Sequence, residues 1–312
     1  MHSKLRRFVS ILSYTAIFAL SSQLCSAQMF IQKDSRKSGL VSQVLNAQID
    51  WTNEFFYANG NGVLPKTEEE PDRTKAYNKA KGYGKMKAIT NLLMAIEGTT
   101  VSYKAVAKDY IVKDDQLRRS IEGYAANAEI VGEKQQNEGL ETVIAITIKA
   151  PMYDSRGIGS AILKSRFRYD SYPDASYGLV VEKRGDVRSA TIPNDSHGPF
   201  TSLIVDCSGM RIDPAMSPKI RRADGSEFWG TALKYDFLQS HGVVTYTQTI
   251  EEAKRKSRAG SNPLITKAIG RSGIRFMCDP VLSDTDIEII TAENQASRFL
   301  DKFDVIFVID AN

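Results

Sequence analysis

Histidine and cysteine are scarce, with three of each in 312 residues. His197, His241, Cys207 and Cys278 stand apart, without the short spacings of tetrahedral zinc sites, so no metal site is expected. Long apolar runs are scarcer still. The one present, "FVSILSYTAIFAL" from Phe8 to Leu20, falls short of the roughly 20 residues that a membrane-crossing helix needs. No transmembrane span is therefore expected. There is no phosphate-binding loop, and "RGIGSA" at Arg156 to Ala161 lacks the strand-to-helix context of a dinucleotide fingerprint. No nucleophile has a base partner nearby. No repeat or low-complexity tract appears. These gaps leave no cofactor and no catalytic residue to expect.

What is present begins with Lys4, Arg6 and Arg7 ahead of the apolar run and "SSQLCSAQ" behind it. Cys25 and Ala27 take the small-residue positions of a signal-peptidase site, so residues 1–27 read as a signal peptide cleaved after Ala27. A periplasmic location follows. Cys25 invites a lipoprotein reading, but Gln23 and Leu24 stand where lipidation uses small residues, and no lipid anchor is expected. The leader holds three of the 41 Lys and Arg and none of the 37 Asp and Glu, leaving 38 against 37. So balanced a chain has no general field to attract nucleic acid or anionic lipid. In an oxidising compartment Cys207 and Cys278 are either two buried thiols or a bridge. Such a bridge would close a loop of about 70 residues and contribute roughly 4 kcal/mol.

Patterning divides the remaining chain in two. In residues 28–152, "AQIDWT" and "FFYANGNG" read as strands of a hairpin, and "LPKTEEEPD" as a surface connection. Met86, Ile89, Leu92, Leu93 and Ile96 recur at helical spacing over Arg73 to Glu97, with Gly98 as a C-terminal cap. Gly82 and Gly84 interrupt that helix and suggest two pieces. "DDQLRRSIEGY" is weakly helical, and "AEIVGEKQQNEGLETVIAITIKAPM" reads as a hairpin turning at Asn137 to Gly139. The polar stretch 153–198 reads as a linker. In residues 199–312, Leu203 to Val205, "GVVTYTQ" and "DVIFVID" read as strands, and "SPKIRRADGSEFWG" as a hairpin turning at Asp224 and Gly225. "TIEEAKRKSR" and "SDTDIEIITAENQ" read as helices, the second capped by Ser283. The expected fold class is α+β, in two small domains, each a mainly antiparallel sheet packed with one or two helices.

Both apolar runs of the second half stop on a carboxylate, "LIVD" at Asp206 and "FVID" at Asp310. If the two strands lie side by side and parallel, the carboxylates converge at one sheet edge, where a hard cation or acid–base chemistry could sit. Against that, an aspartate after a buried strand commonly caps the next turn, and "DCSG" is turn-forming sequence. The structural role is the expectation. An extracytoplasmic cation-binding protein or hydrolase using Asp206 and Asp310 is the alternative.

Residues Ala47 to Met152 resemble a bacterial envelope family that includes small outer-membrane lipoproteins, flagellar protein P and the N-terminal domain of flagellar assembly protein T. The resemblance rests on "IDW", "ANGNGVLP", "NLLMAIEG", "SIEGYAANAEIV" and "TVIAITIKAPM". Their positions here include Trp51, Gly60, Gly62, Pro65, Ala80, Ala88, Asn91 to Leu93, Ile96, Gly98, Gly123 and Ala128. The segment "TSLIVDCSG", "AMSPKI", "DGSEFWG" and "DVIFVID" is similar to one that often follows it. The resemblance implies an envelope or flagellar assembly protein without enzymatic activity. Its partners would be envelope or flagellar proteins, or further copies of itself.

Overall fold

The computed structural model describes residues 39–153, 157–169, 178–184, 199–230 and 242–310. The leader, Cys25, His197, His241 and part of the stretch read as a linker lie outside these residues.

In the N-terminal half, β1 (Val41–Val44), β2 (Ala47–Asp50), β3 (Phe55–Val63), β6 (Glu129–Glu138) and β7 (Glu141–Pro151) form an antiparallel sheet in the order β1-β2-β3-β7-β6. Both expected hairpins are there. Helix α1 (Arg73–Gly98) lies on β3 and β7. Asp72 starts it by accepting from the amides of Thr74 and Lys75, a cap that contributes about 1 kcal/mol.

α1 is one continuous helix, not two pieces, and the reason is what it packs against. The face of β3 that points at it, Phe56, Ala58, Gly60 and Gly62, shrinks along the strand. Opposite stand Ala76, Ala80, Gly84 and Ala88, then Leu92 and Ile96, all buried. The small ends meet. A Cβ on Gly62 would lie 1.8 Å from the Ala80 carbonyl oxygen, and one on Gly60 would lie 2.3 Å from the Ala88 nitrogen. Gly60 and Gly62 therefore let a helix backbone touch a strand backbone. The same contact turns the helix so that Met86, expected on the apolar face, is 60% exposed.

The next segments are short: β4 (Thr100–Ser102), β5 (Ala105–Val106), α2 (Lys108–Ile111), α3 (Asp115–Ala126) and α4 (Ile158–Tyr169). α4 falls in the stretch read as a linker. Asp114 joins α3 to α4, accepting from the Leu117 amide at 3.0 Å, the Ser165 hydroxyl at 3.2 Å and Arg168 Nη1 at 3.1 Å. The Leu117 amide above all, then Ser165 and Arg168, hold its carboxyl below the usual aspartate range. A depressed folded-state pKa contributes stability that is present above the unfolded value and lost as pH falls through the folded one. The urea midpoint is thus expected to decline below about pH 4, and Asp114→Asn should flatten that part of the profile. An unchanged profile in the variant would contradict this role.

The C-terminal half departs from the expected antiparallel sheet. β9 (Ser202–Asp206), β12 (Thr245–Thr247), β13 (Pro263–Lys267) and β16 (Val305–Val308) are all parallel, in the order β12-β16-β9-β13. Their composition explains it, because every residue of β9 and β16 is buried and parallel strands are covered on both faces. Ile204, Ile265, Ile306 and Val308 pack with Ala253 of helix α5 (Ile250–Arg255). Leu203, Val205, Val305 and Phe307 join the main core, together with Ile287 and Ile290 of helix α6 (Asp284–Ser297). Ser283 caps α6 by accepting from the Asp286 amide. A further mixed sheet, β11-β10-β15-β14-β8, is built from β8 (Val180–Lys183), β10 (Ile220–Arg221), β11 (Glu227–Trp229), β14 (Gly270–Gly273) and β15 (Asp279–Val281). β10 and β11 are the hairpin expected at Asp224 and Gly225.

The two halves share one core, which runs from Leu40 to Ile309. Trp51 meets Tyr246 of β12 edge to face at 5.8 Å. The β4–β5 hairpin reaches further: Thr100 and Val101 carbonyls accept from the amides of Met216 and Ser217, and the Tyr103 carbonyl from those of Ile274, Arg275 and Phe276. The Tyr103 ring is fully buried, 4.6 Å from the guanidinium carbon of Arg221 and 5.7 Å from Lys219 Nζ. Arg221 in turn pairs with Asp279 at 2.8 Å, both buried. Its Nη1 donates to the Gly225 carbonyl at 3.2 Å, its Nη2 has no hydrogen-bond partner among the described residues, and the aromatic face adds to the stabilisation of that charge.

Candidate functional site

β9 and β16 are neighbours in parallel register, with Val308 opposite Asp206. The condition for the two strand-terminal carboxylates to share an edge is therefore met, and they emerge at the carboxyl end of the inner two strands of a parallel sheet. Open α/β sheets commonly hold ligands there.

The carboxylates are nevertheless occupied by the chain itself. Asp206 Oδ1 accepts from the Ser208 amide at 2.9 Å and the Ser208 hydroxyl at 2.5 Å. Asp206 Oδ2 lies 3.8 Å from Lys267 Nζ. Asp310 Oδ2 accepts from the Gly209 amide at 2.7 Å. Both side chains thus hold the turn that follows β9, as short aspartate–backbone bonds commonly do. Among the described residues no group of three His, Cys, Asp or Glu could hold a metal ion.

Cys207, between them, is fully buried, and burial first, then the charges of Asp206 and Asp310, pushes its thiol pKa up. Cys278 is likewise a buried free thiol whose pKa burial raises, reinforced by Asp279. Thiols react as thiolates, so neither should label with iodoacetamide in the folded protein, and both should label in denaturant without reductant. Peptide mapping that found them joined would contradict this.

The other residues singled out in the sequence serve the fold. Trp51 is buried and donates from Nε1 to Ser42 Oγ at 3.0 Å. Asn91 donates from Nδ2 to the Asn59 carbonyl at 2.6 Å, tying α1 to β3, and Leu92 and Ile96 lie beneath it in the core.

Sequence reasoning missed a cleft of about 330 Å³ that opens beside the turn after β9, lined by residues 182–184, 209–211 and Arg271. Gly209 has φ +77° and Arg211 φ +51°. The Arg184 guanidinium fills the space a side chain at Gly209 would take, with Nη1 2.6 Å from that position. Arg271 braces the cleft: Nε and Nη2 meet Glu182 Oε2 at 2.9 and 2.8 Å, and Nη1 donates to the Arg211 carbonyl at 2.7 Å. No local motif could have announced it, since its walls come from three distant segments.

No curated protein matches the chain. Residues 202–311, about a third of the chain, match the model of a family described as the second domain of Treponema pallidum Tp0624. This similarity covers the parallel sheet and its carboxyl edge, and it names no flagellar family.

Proposed function

We propose that the protein is an exported, non-enzymatic structural or assembly component of the bacterial envelope that acts by binding other proteins, with the flagellum as the first assembly to test. The observation that carries the reading is the commitment of Asp206 and Asp310 to the Ser208 and Gly209 turn. The strongest candidates for chemistry are engaged in holding backbone. The leader and the resemblance of Ala47 to Met152 to envelope and flagellar proteins support the location. The sheet edges β1 and β6 support the mode: neither pairs with a further strand among the described residues, and such edges can accept a partner's strand.

The test is fractionation of cells expressing the chain into soluble periplasm, washed outer membrane and purified flagellar basal bodies. Co-purification with basal bodies or outer membrane that withstands salt, together with crosslinks to their proteins, is the expected result. A freely soluble monomer without crosslinks would overturn the reading.

The alternative, an extracytoplasmic cation-binding protein or hydrolase using Asp206 and Asp310, keeps one observation in its favour, the parallel adjacency of β9 and β16. Calorimetry with calcium and magnesium separates the two. Tight binding that Asp206→Asn abolishes would favour the alternative, and no heat leaves the assembly reading ahead.

A further inference from the structure

The cleft beside Gly209 holds more positive charge than it uses. Its one carboxylate, Glu182, is engaged by Arg271, and Arg271 also secures the Arg211 backbone. Lys183, Arg184 and Arg211 are exposed, and none has an ion pair with an acidic residue among the described residues. This concentration is local, in a chain whose basic residues outnumber its acidic ones by only 41 to 37. Unpaired cations in proximity repel one another, and a cleft that gathers three of them is stabilised by an anion.

Position and shape agree with the charge. The Gly209–Arg211 loop leaves the carboxyl end of β9, one of the inner two parallel strands. Its left-handed residues and the absent side chain at Gly209 seat the Arg184 guanidinium against the turn. The Gly209 amide is taken by Asp310, so recognition falls to side chains. Two guanidinium forks and an ammonium suit a group with several oxygens and more than one negative charge, which is a phosphate and not a single carboxylate. About 330 Å³ lies at the small end of ligand sites.

We propose that this cleft binds the phosphate group of a small soluble phosphate ester or diphosphate. The site is independent of the assembly role, and either can fail without the other.

The experiment is calorimetric titration of the folded chain with pyrophosphate at fixed ionic strength, with sulfate and acetate as comparison anions. Saturable binding is expected, stronger for pyrophosphate than for acetate and weaker as salt rises. Arg211→Gln and Arg184→Gln should each weaken it about tenfold, with unchanged circular dichroism. Lys254→Gln, on α5, should leave it unchanged. If either arginine variant misfolds, Lys183→Gln on β8 provides the same readout with a smaller loss. Absence of binding at millimolar pyrophosphate, or binding indifferent to all three substitutions, would overturn the proposal. Sedimentation with phosphatidylglycerol vesicles but no response to pyrophosphate would also overturn it, since the phosphate would then belong to a membrane.

Discussion

Gly62→Ala is expected to cost about 3 kcal/mol or more, at or beyond the upper end of ordinary overpacking, and to lower the urea midpoint accordingly. The added methyl would sit 1.8 Å from the Ala80 carbonyl oxygen and 2.7 Å from its carbon. Neither is the end of a flexible side chain that can swing away, so α1 must lift off β3 and lose burial along its whole length. The natural control is twenty residues further on. Gly82 is exposed with nothing near a Cβ position, so Gly82→Ala should stabilise the same helix by about 0.5–1 kcal/mol. Opposite signs from one chemical change identify contact, not helix propensity, as the cause. A loss under about 1 kcal/mol at Gly62 would mean that the two backbones are not in contact there.

Asp279→Asn should be as damaging, by about 3–5 kcal/mol, because removing one member of a buried ion pair strands the other. Asp279 Oδ2 faces Arg221 Nε, while Oδ1 accepts from the Lys219 amide at 2.9 Å and lies 3.3 Å from Cys278 Sγ. Burial pushes the carboxyl pKa up, and Arg221 opposes that shift and remains protonated itself. Asparagine keeps the shape and removes the opposing charge, leaving a guanidinium with the Tyr103 ring and the Gly225 carbonyl beside it but no countercharge in contact. The double replacement Arg221→Met with Asp279→Leu should recover much of the loss, since an apolar pair of similar volume needs no compensation. Denaturation of both variants distinguishes a stranded charge from a packing defect: equal losses would indicate packing.

Much of this architecture was legible where local pattern and tertiary contact agree. The β2–β3 and β6–β7 hairpins, the turn at Asp224 and Gly225, and the Ser283 cap depend on neighbours in the chain, and all are present, the β6–β7 turn falling at Gly139 and Leu140 while Asn137 stays in the strand. Pattern misled where distant contact decided. "ANGNG" reads as strand and is strand, but the pattern does not show why two of its positions must be glycine, which is that a helix backbone lies on them. The contact face of the helix keeps the expected Leu92 and Ile96 but continues through Ala88, Gly84, Ala80 and Ala76, while Met86 is turned out to solvent. Parallel pairing of β9 and β16 was readable only as a condition, since "LIVD" and "FVID" are buried strands in either orientation. β13, β14 and β15 are short and lack alternation, and the cleft beside Gly209 exists only once three remote segments meet.

The Tyr103 contact also bears on what can be excised from this protein. The matched segment 202–311 begins about a hundred residues after the tyrosine that lies against Arg221 and takes up three backbone amides at 274–276. A recombinant fragment cut to that similarity would therefore carry an empty slot where the ring belongs. Supplying the hairpin Thr100–Val106 in trans, as a synthetic peptide, should restore order to the fragment, in the manner of split-protein complementation.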